Sequence, residues 1–464
     1  MRFSRRLAVV GLALGLTIST QAVAKDLGEI LLDKGVITKE ELQKARQEEA
    51  QKAAAETSMR DAVAAKIPAW LSQVTLFGDL RLRHEGFYED DLHARNRFRM
   101  RGRIGLTANL TDEISATFRL ATGNPDDPIS TNQSFERTFS RKSVNFDQGY
   151  VTLKPSKTFH IDPGWFTLQA GKMPVNVFRV SELVFDDDLS PEGATEILTF
   201  WDQKSDFLRN FRIIGFQWVQ DELAADGDPW MAGAQVVADM APTSSSTWSL
   251  ALGDYDFMNI NKVASKFLNQ FTDPPANTTR NSNFNSALAN SNSLDHDANG
   301  LITGYANGFN ILTGLTELNF ANAFDLGIPA GVFGEFAWNT ASDNNNFGFA
   351  MGAGIGKAGK DWYHDPLKNP GDWGMSYTYE HVAKDAVLSL FSASDLDYTD
   401  TGGTQKGATN LEAHILRIDY ELFANFQLTA KAEFIQALHA NQSNAAVLGG
   451  ETLTRTQLDA VLKF

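Results

Sequence analysis

The sequence predicts an all-β chain, a transmembrane antiparallel β-barrel of about 16 strands, preceded by a short periplasmic helical segment. Three observations predict it. The N-terminus is basic and then apolar, as an export signal is. Residues 95–110 alternate between arginine and apolar side chains. No later stretch approaches the ~18 to 20 apolar residues of a membrane helix. Any membrane crossing therefore uses strands in a closed barrel, where every backbone group finds a partner.

In chain order, Arg2, Arg5 and Arg6 precede the apolar run from Leu7 to Thr17, and Ala22-Val23-Ala24 supplies small residues at the cleavage spacing. Residues 1–24 thus read as a signal peptide. Its removal takes three positive charges from a net charge of -16, leaving -19. The chain has 0 cysteines, so an exported fold gets no disulfide framework and depends on a large hydrogen-bonded structure. Residues 25–69 are rich in Ala, Glu, Lys and Gln, with Gly35 as a helix stop and Thr38-Lys39-Glu40-Glu41 as a capping box. They read as a periplasmic helical segment, either a solvated spacer or an oligomer-forming or wall-facing arm, and Pro68 ends it. The barrel domain is expected over 70–464.

From Val74 the period changes to two. Leu76, Leu80 and Leu82 alternate with Asp79, Arg81 and Arg83; the arginine strand follows, and after the turn at Thr111-Asp112 a third strand sets Ile114, Ala116, Phe118 and Leu120 against Arg119. Weaker patterns place strands at 144–153, 166–172, 194–201, 207–219, 230–239, 248–256, 309–321, 328–339, 347–356, 372–382, 410–422, 426–438 and 453–464, for sixteen in all. That number makes the connections alternate: the long ones at 85–94, 123–143, 173–193, 257–308 and 383–409 fall on one side, and the short ones at 111–112, 202–205 and 424–425 on the other. Omitting the weak strand near 194 would invert everything after it.

The arginines fix the inside of the barrel. Arg95, Arg97, Arg99, Arg101 and Arg103 share one face of one strand. At about 3.3 Å per residue they span about 26 Å of strand, or about 20 Å of height when the strand tilts by ~40°. A mid-plane arginine facing lipid costs about 2–4 kcal/mol, so five on one strand belong in the lumen, with Arg81, Arg83 and Arg119 beside them.

The last strand carries Leu458, Ala460, Leu462 and Phe464 on one face and Arg455, Gln457, Asp459 and Lys463 on the other. Its aromatic end resembles the C-terminal signature of outer-membrane barrels, in which Leu462 and Phe464 would serve as the assembly signal. The arginine strand, Gly171-Lys172-Met173-Pro174 with 181–194 (SELVFDDDLSPEGA), 371–380 (GDWGMSYTYE), 385–397 (DAVLSLFSASDLD) and the closing strand together resemble the putative porin family of Gram-negative outer membranes. The resemblance covers roughly 74–464. It implies a cell-outer-membrane diffusion channel for small hydrophilic solutes or ions, with neither cofactor nor catalysis. The implied partners are outer-membrane lipid, the barrel-assembly machinery and the copies of a homotrimer. It also implies that the third outer loop, carrying Glu182, Asp186, Asp187, Asp188 and Glu192, narrows the channel opposite the arginine wall. Such a pairing creates a transverse field; an unpaired ladder favours anions, and a neutralised one is weakly selective.

Other classes fit less well. The acidic total argues against a nucleic-acid partner. The eight histidines are scattered with no HExxH or GxSxG spelling, which argues against a hydrolase. The aspartate cluster has two alternatives, a Ca²⁺ site or a solvated loop end, although no metal is expected. The remaining functional alternative is a structural or adhesive barrel with a loop-closed lumen and a binding loop at 257–308.

Overall fold

The computed structural model describes residues 38, 40, 44, 73–89, 93–200, 207–223, 227–265, 290–299, 302–323, 327–357, 367–396, 398–399, 406–439 and 452–464. The expected export signal and all but three positions of the expected helical segment lie outside them. Thr75–Phe464 form one compact unit.

Among the described residues, sixteen long strands make this unit. They are β1 (Val74–Tyr88), β2 (Arg95–Asn109), β3 (Ile114–Thr122), β4 (Val144–Leu153), β5 (Phe166–Lys172), β6 (Glu192–Phe200), β7 (Leu208–Val219) and β8 (Trp230–Thr243). There follow β9 (Ser246–Met258), β10 (Phe309–Ala323), β11 (Ile328–Asn339), β12 (Phe347–Gly356), β13 (Trp373–Val382), β14 (Leu411–Phe423), β15 (Phe426–Ala437) and β16 (Leu453–Lys463). Each pairs antiparallel with its neighbours in sequence, and β16 returns to β1 in a register running from Asp79 opposite Lys463 to Tyr88 opposite Thr454. Gly78 and Phe464 complete the seam by exchanging backbone hydrogen bonds of 2.9 and 3.0 Å. The sheet has no free edge. The weak strand near 194 is β6, paired on both sides.

The period-two pattern assigns each side chain to outside or lumen. Leu76, Leu80 and Leu82 of β1 and Phe98, Ile104 and Leu106 of β2 are exposed on the outside. Aromatic side chains collect there at both rims: Phe98, Phe146, Trp230, Trp338 and Phe347 at the long-loop end, and Trp165, Trp373, Tyr420, Phe423 and Phe464 at the other. An apolar band between two aromatic girdles is the surface a barrel presents to a bilayer. The connections alternate as the strand parity requires, except that 154–165 and 357–372, on the short-turn rim, are long. β1 also runs to Tyr88, which shortens the first loop from the expected start at 85.

The lumen departs from a uniformly polar interior. Along the sector from β7 to β11, inward side chains including Ile214, Phe216, Trp218, Tyr255, Phe257, Phe309, Ile311 and Phe333 are buried. They form one apolar cluster with Val175, Val177, Val180 and Phe185 of the third long-rim loop (173–191) and Val387, Leu388 and Leu396 of the seventh (383–410). Buried apolar area stabilises by about 25 cal/mol per Å², so these loops are fixed parts of the interior. The third loop leaves and re-enters the wall at Gly171 and Gly193, which lie opposite each other with φ of +128° and +149°. A Cβ on Gly193 would come within 2.1 Å of the Gln217 carbonyl oxygen, so only glycine fits.

Candidate functional site

With one sector packed, the open part of the lumen lies along the charged strands. Asp79, Arg81, Arg83 and Glu85 alternate with outward leucines on β1; the five arginines do the same on β2, and Arg455, Gln457 and Asp459 on β16. Strand parity alone brings these rows together.

Each arginine has an assignable partner. Asp79 takes the Arg101 and Arg103 guanidiniums at 2.8 and 2.6 Å. Glu85, fully buried, pairs with Arg97, with Arg99 at 3.6 Å and with Arg455 at 3.0 Å. Asp459 receives a two-pronged bond from Arg83, at 2.7 and 2.8 Å. Arg81 donates to Asn132 at 2.7 Å, and Arg119 is held by Asp147 on β4. At the long-loop end the Phe87 ring is flanked by Arg95, Arg97 and Arg455 at 5.0–5.4 Å from its centroid, within cation–π range. The arginines are thus compensated largely by carboxylates of the barrel wall. Asp79, Glu85 and Asp459 sit at inward parity, where the sequence carries the signal; the sequence reading assigned that compensation to the third loop.

The acidic loop residues do separate jobs. Asp188 reaches the ladder, 3.3 Å from Arg103 and 3.8 Å from Arg101, and accepts from the Thr131 N–H and hydroxyl at 3.0 and 2.9 Å. Burial opposes its ionisation, but Arg101, Arg103 and Arg81 outweigh that and hold its carboxyl well below the usual range. Asp187 pairs with Arg179 at 3.2 Å. Asp186 accepts from the Ser394 N–H at 2.7 Å, and burial together with Glu182 pushes its pKa up. Glu182 accepts from the Asp187 N–H at 3.0 Å; burial first and Asp187 second push it up to about 8. Glu192 is not in the loop: it starts β6 and pairs with Lys172 at 3.1 Å, away from the arginines.

A further carboxylate that sequence reasoning missed is Asp395, in the seventh loop. It lies 3.0 Å from Arg83, 3.1 Å from Arg455 and 3.3 Å from Lys431. Burial opposes its ionisation, and those three cations hold it ionised well below its ordinary pKa. Its segment was visible only as part of the family resemblance. The seventh loop reaches the passage by pairing with the third: the Asp186 N–H donates to Phe391 at 2.8 Å and the Ala393 N–H to Glu182 at 3.2 Å, both on backbone carbonyls.

These groups surround a cavity of about 470 Å³ lined by seven basic side chains (Arg81, Arg83, Arg101, Arg103, Arg417, Lys431 and Lys463) and seven acidic ones (Glu182, Asp186, Asp187, Asp188, Asp395, Asp419 and Asp459). Toward the short-turn rim a second cavity, of about 580 Å³, is lined mostly by neutral polar groups such as Thr107, Asn109, Tyr150 and Gln169. Charged side chains are denser around the first cavity than around the second. Among the described residues no group of three or more His, Cys, Asp or Glu side chains is arranged to hold a metal ion, which leaves the Ca²⁺ alternative for the aspartates without support there.

A closed sixteen-strand barrel, apolar outside and narrowed inside by loops at a charged level, is a channel of the porin class. The family can be stated as well. The chain belongs to the putative porin family, whose sequence profile matches residues 87–433. Family and fold together point to the outer membrane. Among solved structures the chain is similar to Pseudomonas putida OprB at high pH, with 13% identity and TM-score 0.47 over 85% of this chain and 95% of that one. It is also similar to Salmonella typhi OmpF in complex with daunomycin, with 11% identity and TM-score 0.46 over 84% and 97%. A third is the anion-selective porin of Comamonas acidovorans, with 11% identity and TM-score 0.44 over 84% and 99%. No curated protein sequence matches the chain.

Proposed function

We propose that the chain is a passive diffusion channel for small hydrophilic solutes and ions, selecting at the level of the 470 Å³ cavity, with a preference for anions at neutral pH. The observation carrying this is the charge balance around that cavity. Seven basic and seven acidic groups would cancel, but the environment of Glu182 and Asp186 favours their neutral forms, which leaves an excess of cations. Arg81, Arg83, Arg95, Arg97, Arg99, Arg101, Arg103 and Arg119 then act as the lumen's basic wall, with Asp188 as the third loop's counter-charge.

The test is single-channel recording of the refolded mature chain under a KCl gradient. Open steps with a reversal potential on the chloride side are expected, and steps grouped in threes would mark a homotrimer. In an inserted variant carrying Arg97→Ala, Arg99→Ala and Arg101→Ala, the preference should move toward cations. An unchanged reversal potential there would remove the arginines from the selectivity mechanism.

A further inference from the structure

The fifth long-rim loop (259–308) contributes a short segment, 290–293, that is buried inside the barrel mouth, with Ser291 and Asn292 at 0% and 3% exposure. Asn292 has the full set of hydrogen bonds its amide can make toward one partner. Its Nδ2 donates to the Lys384 and Val387 carbonyls at 2.7 and 2.8 Å, and its Oδ1 accepts from the Ser389 N–H and hydroxyl at 2.9 and 2.8 Å. All four bonds go to the seventh loop, and none to the barrel wall. The neighbours of Asn292 reinforce the tie: the Ser291 N–H donates to the Ser389 hydroxyl at 3.0 Å and the Ser293 N–H to the Asp385 carboxylate at 2.8 Å.

Six residues beyond Ser389 stands Asp395, the carboxylate between Arg83, Arg455 and Lys431. Those three wall cations grip its carboxylate, but the backbone that presents it is held by other loops. Asp395 belongs to a loop whose intervening segment is fixed by the third loop through Phe391, Ala393 and Ser394 and whose near end is fixed by Asn292. A buried side-chain amide satisfied on both ends is costly to replace with a group that leaves backbone carbonyls unpaired. The cost of losing Asn292 therefore falls on the seventh loop.

We infer that Asn292 is a positioning residue for selectivity: it holds the seventh loop so that Asp395 stays against the basic wall, and thereby sets the charge of a passage that it does not itself line. When the loop lifts, the passage loses one carboxylate and gains anion preference. This rests on the channel proposal above. Asn292 and Asp395 should behave as one unit, because the first acts through the second.

The experiment is a double-mutant cycle in planar bilayers with the full mature chain: wild type, Asn292→Ala, Asp395→Asn and the double variant. A unit charge at ~10 Å in water changes an ion's occupancy by a factor of about two, so Asp395→Asn should raise the anion-to-cation permeability ratio about two- to four-fold. Asn292→Ala should shift it the same way by a smaller amount, with added current fluctuations as the loop moves. The double variant should match Asp395→Asn alone. A wild-type ratio in Asn292→Ala, or a shift that adds to that of Asp395→Asn, would overturn the inference.

If Asn292→Ala does not fold, Asn292→Cys with Ser389→Cys replaces it, since the chain has 0 native cysteines. The oxidised, cross-linked form should keep the wild-type ratio and the reduced form should shift; equal ratios in both would again overturn it. Silent wild-type channels would instead reject the channel proposal. The anchor is then tested by hydrogen exchange, where unaltered protection of 384–395 in Asn292→Ala would count against it.

Discussion

At the scale of single residues, the lumen assigns different protonation states to carboxylates a few positions apart. Asp188 faces Arg101 and Arg103 and stays ionised, whereas Glu182, half-buried and beside Asp187, is pushed up to about 8. Two predictions follow from that contrast. Asp188→Asn removes a permanent negative charge from the passage, so the anion-to-cation permeability ratio should rise about two- to four-fold at neutral pH. Glu182 gains its charge only as pH rises through about 8. Anion preference should therefore fall as pH rises past neutral, a drop that Glu182→Gln would reduce; reversal potentials across that range check both. The sequence named Asp188 and Glu182 alike as constriction acids. It had no means of separating them, since the distinction depends on which arginines and which buried surface each one meets.

At the scale of elements, strands were legible where the two faces differ in polarity. β1 to β3 set leucine, isoleucine and phenylalanine against arginine and aspartate, and the alternation there is unambiguous. β7 reads Arg-Ile-Ile-Gly-Phe-Gln-Trp-Val at 212–219, with apolar residues on both faces. Its outside meets lipid and its inside meets the third loop, so no polar face marks the period. The count of sixteen survived because the parity of the connections required β6. What stayed hidden was the seventh loop, because Asp395 acts through partners on β1, β15 and β16 that no local pattern links to it. The glycine pair at the base of the third loop offers a test at this scale. Gly193→Ala forces a Cβ against the Gln217 carbonyl at an unfavourable φ. The cost should be about 1–3 kcal/mol, read as a lower urea midpoint of the folded, heat-modifiable band.

At the scale of the whole molecule, closure depends on the seam between β1 and β16. The Phe464 ring lies where a side chain on Gly78 would stand, and the two backbones exchange hydrogen bonds beneath it. Phe464→Ala should lower the yield and unfolding midpoint of the barrel and leave the permeability ratio of the molecules that do form unchanged. Extraction into detergent followed by unfolding on gels would measure the first, and bilayer recording the second.

The apolar cluster along β7 to β11 also reverses an ordinary expectation about shortening loops. Taking away the third or seventh loop would leave a wider bore, but one walled on that side by Phe216, Trp218, Tyr255, Phe257 and Phe309. Wide spaces with phenyl and indole walls tend to dry out, and a dewetted constriction blocks ions even when it is sterically open. A loop-trimmed barrel should therefore wet intermittently, and its gain in conductance should fall short of its gain in cross-section.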